Sequence, residues 1–113
     1  MKIITDFISI SELQQMAAAT FGDMVKAVVD VERDIIAVDA ELHSDLEAAL
    51  LADGSSQNNL WGINLYPDIQ GDDAVEFDSL INMKPSQGNR SRGVDDVKIR
   101  EYILQLVKKS VKQ

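Results

Sequence analysis

Two pairs of carboxylates, Asp39 with Glu41 and Glu76 with Asp78, are the side chains best placed by type and spacing to do chemistry in this chain. In extended backbone, residues two apart project from one face, about 6.5 to 7 Å from each other. His43, the single histidine, continues the first pair on the same side, and a hairpin reading puts Lys26 and Asp30 on the neighbouring strand. If the strands lie close, three or four carboxylates and one imidazole converge, an oxygen-rich set that suits Mg²⁺ or Mn²⁺. Such an ion would clamp a phosphate and activate water, which describes a metal-dependent phosphate-ester hydrolase with His43 as base. The competing reading is a solvated sheet face whose charges deter aggregation, Lys26 offsetting Glu41 across the hairpin. Separation decides between them: ligand oxygens gathered about one point favour the enzyme, whereas a gap beyond about 10 Å leaves only a surface.

The loop Lys84 to Gly93 is a second candidate. Arg90 and Arg92 sit between Gly88 and Gly93 with Asn89 and Ser91 interleaved, just before a helix. Bidentate guanidinium donors beside flexible backbone N–H groups assemble a phosphate or carboxylate clamp. The loop matches neither a Walker loop nor a dinucleotide fingerprint. The same arginines are equally suited to clasp Asp39, Glu41, Glu76 or Asp78 from within, and the expected arrangement is mixed, with Arg90 internal and Arg92 outward. Tyr66, expected to face outward, is the aromatic available to a ligand, whereas Trp61 falls on the apolar side of its strand and belongs to the core. Ser86 and Ser91 lie in no nucleophile-elbow pattern, and Asp68 to Asp73 lack the oxygen spacing of an EF-hand.

The elements that must position these residues follow from periodicity. Lys2 to Asp6 reads as a short strand, and Ser9 to Phe21 as a helix with a Ser9/Glu12 capping box and a Gly22 stop. Met24 to Glu32 and Ile35 to Leu42 form a hairpin about Arg33 and Asp34, pairing Glu32 with Ile35, Val29 with Val38, Val28 with Asp39 and Lys26 with Glu41. That register gathers Val25, Ala27, Val29, Val31, Ile36, Val38, Ala40 and Leu42 on one apolar face. Ser44 and Glu47 box the start of a second helix ending at Ala52. Leu60 to Tyr66 and Ala74 to Met83 alternate as strands, Pro85 to Gly93 is loop, and a last helix from Asp95 or Asp96 buries Ile99, Tyr102, Ile103, Leu106 and Val107. The order β-α-β-β-α-β-β-α implies an α+β domain spanning 1–113, with a mainly antiparallel sheet of four to five strands, helices packed on one face and a polar second face.

Composition narrows function by exclusion. The 113 residues contain no cysteine and one histidine, so thiolate zinc, iron–sulfur clusters, haem and multi-histidine metal sites are not expected. The net charge of −8 conceals a division. Residues 1–79 carry three basic and sixteen acidic side chains, a net −13, while residues 80–113 carry eight basic and three acidic, a net +5. An overall negative field disfavours a broad nucleic-acid surface yet leaves room for a local basic site. No apolar run approaches the roughly 18 residues of a membrane span, and no export signal stands at the start, so a cytoplasmic setting is expected. A sheet covered on one side also leads to the expectation of a homodimer.

The segments VKAVVDVERDIIAVDAELH (Val25 to His43), LWGINLYP (Leu60 to Pro67) and VEFDSLINMKPSQGNRSRGVDD (Val75 to Asp96) resemble the signature of an uncharacterised family of small prokaryotic proteins described only as a domain of unknown function. The resemblance covers nearly the whole chain, with INMKPSQGNRSRG its most specific run. It implies no activity, cofactor or catalytic residue. The sequence therefore favours a small binding or regulatory protein that recognises an anionic ligand or protein partner through its polar sheet face and arginine loop, with the metal-dependent hydrolase as the alternative.

Overall fold

The computed structural model describes all 113 residues. Strands β1 (Lys2–Ile4), β3 (Val25–Asp30), β4 (Ile35–Val38), β5 (Leu60–Leu65) and β6 (Val75–Glu76) form one sheet in the order β1-β4-β3-β5-β6. Every neighbouring pair in it is antiparallel. A small parallel pair, β2 (Ile8–Ser9) with β7 (Val111–Lys112), lies apart from it. Three helices complete the chain: α1 (Ile10–Ala19), α2 (His43–Ala52) and α3 (Val97–Ser110). The α+β class and the antiparallel sheet are as expected from the sequence.

The helices, however, lie on both faces. Ala27, Val29, Ile36, Val38, Trp61 and Ile63 pack against Leu13 and Ala17 of α1 and Ile103, Leu106 and Val107 of α3. Val28, Ile35, Ala37 and Leu60 face the other way and are sealed by Leu46 and Leu50 of α2. Four apolar residues on the supposedly polar face are too much hydrocarbon to leave in water, so α2 folds over them. The open face that suggested a homodimer is therefore partly covered.

The hairpin register also differs. Val29 stands opposite Ile36 and Ala27 opposite Val38, a slip of two from the expected pairing. Asp30 causes it. Its Oδ1 accepts from the backbone N–H groups of Glu32 and Arg33 at 2.9 and 3.0 Å, and Asp34 takes a left-handed φ of 57°, so the turn occupies residues 31–34 instead of two. A slip of two leaves the side chains within the paired strands on their original faces, so the sorting of Val25, Ala27, Val29, Ile36 and Val38 survives, whereas Ala40, beyond the end of β4, packs on the opposite side and Leu42 is exposed. Chain direction changes just after Val38, where Asp39 adopts φ 77°.

Helix starts follow local chemistry. Ser9 Oγ accepts from Glu12 N at 3.0 Å, while the Glu12 carboxylate pairs with Lys2 at 2.8 Å instead of reaching back to the cap. Asp96 caps α3 through Lys98 N. The Ser44/Glu47 box does not form: α2 begins two residues earlier than that box requires, at His43, with Leu42 as an N-cap lacking any side-chain bond. Tyr102 is exposed, not buried, and its hydroxyl donates to the Asp34 carboxylate.

β6 is only two residues long because another group takes its place. Beyond Glu76 the chain leaves the sheet and forms a 3₁₀ turn at Leu80–Asn82. The fully buried Asn82 amide then pairs with β5: its Oδ1 accepts from Gly62 N at 2.8 Å and its Nδ2 donates to Gly62 O at 2.9 Å. Gly62 is needed here, since a Cβ would lie 2.5 Å from both Cβ and Oγ of Ser79. Removing the amide in Asn82→Ala should leave both polar groups of Gly62 unpaired and cost about 2 to 4 kcal/mol in a urea titration. Gly62→Ala should cost about 1 to 3 kcal/mol through overcrowding, whereas exposed Met83→Ala should stay within about 0.5 kcal/mol.

Candidate functional site

The two carboxylate pairs do not converge. Asp39 and Glu41 fall after β4 ends, outside any strand. Asp39 lies 3.8 Å from the N-terminal amine of Met1, and Glu41 is exposed. Glu76 is in β6, but Asp78 lies beyond it and pairs with Arg92 at 2.6 Å. No three carboxylate or imidazole groups are grouped so that they could hold a metal ion. The metal site expected for Mg²⁺ or Mn²⁺ from Asp39, Glu41, Glu76 and Asp78 is thus corrected, because it required β4 to continue through Glu41.

A different polar row takes form at the same end of the sheet. Lys26, Asn64 and Glu76 stand side by side across β3, β5 and β6. Asn64 Nδ2 donates to Glu76 Oε1 at 2.8 Å, and the Tyr66 hydroxyl donates to the same oxygen at 3.1 Å. Burial, reinforced by the Glu76 carboxylate, raises the Tyr66 pKa above its usual value. The Asn64 side chain is 5% exposed, and its Oδ1 has no hydrogen-bond partner. Asn64 was missed by sequence reasoning; its signal is a lone amide among the apolar residues of LWGINL.

His43 lies next to this row. Its Nε2 lies 2.8 Å from Ile63 O, and a carbonyl can only accept, so Nε2 carries the proton and Nδ1 the lone pair. Burial lowers the His43 pKa, which makes the neutral ring the folded form; nearby Lys26 acts in the same direction. The ring is thus tied to the backbone, and its proximity to a helix start is structural first.

The arginine loop is held by amides. Asn89 is buried, its Nδ2 donating to Asn82 O at 2.7 Å and Gly93 O at 2.8 Å, and its Oδ1 accepting from Asp95 N at 2.8 Å. Those bonds occupy the Asn89 amide, so it acts as a brace within the loop where a ligand contact was expected. Asp95 accepts from Ser91 Oγ and Arg90 N, bonds that hold its carboxyl below the usual range. Asn82 and Ser79 anchor the far side, both bonding Arg92 O. The arginines are reversed from expectation: Arg92 Nε donates to Asp78, while the exposed Arg90 guanidinium makes no ion pair. A spacing of two in extended chain gives the same side, so opposite orientations had no basis in the backbone period.

Lys84 is the loop's other unforeseen residue. It is buried, with Nζ donating to Gln57 O at 2.6 Å and lying 5.2 Å from the centre of the Trp61 ring. Burial lowers its pKa, while Glu47 opposes the shift. A lysine between two loop residues gives no sequence signal that its ammonium turns inward.

Fold and site together define an α+β domain with helices on both sheet faces, bearing an amide-braced basic loop beside a polar row. Residues 2–110 match the family described as "Protein of unknown function (DUF5674)", and the chain belongs to that family. No curated protein and no solved structure matches the chain. No helix is long and apolar enough to cross a membrane.

The lowered His43 pKa sets a pH dependence. The unfolded chain takes up this proton near the ordinary value of 6.5, whereas the folded chain resists it to lower pH. The associated stability is fully present above pH 6.5 and is lost on acidification toward the folded value, by at most about 1.4 kcal/mol per pH unit. Urea titrations between pH 7.5 and about 5 should show this slope, and His43→Gln should flatten it.

Proposed function

We propose that this protein is a small binding or regulatory protein that recognises an anionic group, a carboxylate or phosphate on a small ligand or protein partner, through Arg90 and Arg92. One observation carries the reading. The loop from Ser79 to Asp95 is fixed by Asn82, Asn89, Ser79 and Ser91, with neither guanidinium among its braces. The backbone that carries its two arginines is therefore held in place by bonds made without the Arg90 guanidinium, and Arg92 contributes only its pair with Asp78. Such preorganisation lowers the ordering cost of binding an anion. Arg90 is free, and Arg92 has one partner, Asp78, in an exposed pair that an incoming anion can replace at small cost.

A hydrolase reading based on sheet carboxylates finds no support in the separated Asp39, Glu41, Glu76 and Asp78. The basic loop also belongs to the cationic third of a chain that is otherwise acidic, so its attraction for anions is local.

Thermal denaturation with added phosphate tests the proposal. Phosphate should raise the melting temperature of the native protein, and Arg90→Ala and Arg92→Ala should each remove most of that rise while changing stability in buffer by less than about 1 kcal/mol. Large stability losses at both positions, with no phosphate effect on the native protein, would identify a structural latch and overturn the proposal.

A further inference from the structure

A second feature lies away from the arginine loop. It is a cleft of about 790 Å³ between α1, the C-terminal half of α3 and the connection from β5 to β6. That volume falls within the range typical of small-molecule sites, roughly 300 to 1,000 Å³. Its floor is core: Leu13, Leu65, Val75 and Val107 are buried and supply only hydrocarbon. Ile10, Leu104 and Val111 form half-buried walls.

The connection Pro67 to Ala74 arches over one side. It is joined to α1 by a single side-chain bond, Gln14 Nε2 to Asp68 Oδ1 at 2.9 Å, and bends at Gly71, whose φ is 74°. The two rims differ in charge. The connection carries Asp68 and Asp72, while α3 carries Lys108, exposed and without an ion-pair partner. Lys109 and Lys112 follow nearby in the sequence. An anionic head is thus repelled by one rim and attracted by the other, which fixes how a ligand would lie.

We propose that this cleft binds an amphiphilic small molecule with an apolar body and a carboxylate head, the body on the Leu13–Leu65–Val107 floor and the carboxylate against Lys108. The site is independent of the arginine loop. Its recognition follows the usual division of such sites, apolar lining for affinity and one placed charge for orientation.

The test is an NMR titration of the full chain with decanoate and, separately, 1-decanol, following the methyl resonances of the cleft. Decanoate should give saturable shifts and bind more tightly than decanol. Lys108→Gln should weaken decanoate about three- to fivefold, the factor expected for one exposed ion pair, and leave decanol unchanged. Leu104→Trp should fill the cleft and abolish binding of both. Ala74→Phe, from the opposite wall, gives the same reading should the tryptophan variant fail to fold. Absence of saturable shifts at millimolar decanoate would overturn the proposal, as would equal binding of decanoate by the native chain and Lys108→Gln. Undiminished binding in a folded cleft-filling variant would also overturn it. A native dimer that dissociates in Leu104→Trp would assign the cleft to a second copy of the chain, with the same result.

Discussion

Asn82 presenting its amide to Gly62 is the interaction on which the second half of this structure depends. A β-strand edge exposes alternating N–H and C=O groups, and burying them without partners costs far more than a typical hydrogen bond contributes. A primary amide offers one acceptor and two donors, so it can stand in for a neighbouring peptide group. With β5 satisfied in this way, β6 can stop after Glu76 and the chain can leave the sheet. The second Asn82 donor reaches Arg92 O, and Asn89 continues the framework to Gly93 and Asp95. The absent side chain at Gly62 lets Ser79 approach closely enough for this to occur. Two amides and one glycine thereby convert a polar, glycine-containing segment into a fixed structure.

What could be read from the sequence was whatever repeats with a period. The alternation in Val25–Val29 and Trp61–Leu65 and the 3.6-residue spacing in α1 and α3 express burial directly, and the structure agrees with them except at Tyr102, which is exposed. The α+β class followed. What escaped were single side chains acting on backbone. Asp30 lengthened a turn and displaced the register by two, and Asn82 ended a strand. Neither leaves a periodic trace. The second helical layer could have been anticipated, since Val28, Ile35, Ala37 and Leu60 already stood on the face taken as polar.

The candidate residues show the same division. Glu76 and Tyr66 do meet, because both lie on or next to paired strands. Asp39 and Glu41 do not share their row, because the strand that would have aligned them turns away after Val38. Arg90 and Arg92 were recognisable as a pair, but which one met Asp78 depended on the path of an irregular loop. Asn89 looked like a ligand contact because polar loop residues are normally solvated, and it is instead a buried brace.

The parallel pairing of Ile8 with Val111 joins segments separated by roughly a hundred residues. Closing a loop of that length has a high entropic cost, and a contact of such separation is rewarded only after the intervening chain is ordered. The hairpin β3–β4 spans only a few residues and carries no such burden. Assembly is therefore expected to proceed outward from the central hairpin, with β2 and β7 docking late. Val111 is also a wall of the cleft, so that cavity reaches its final shape only in the last stage of folding.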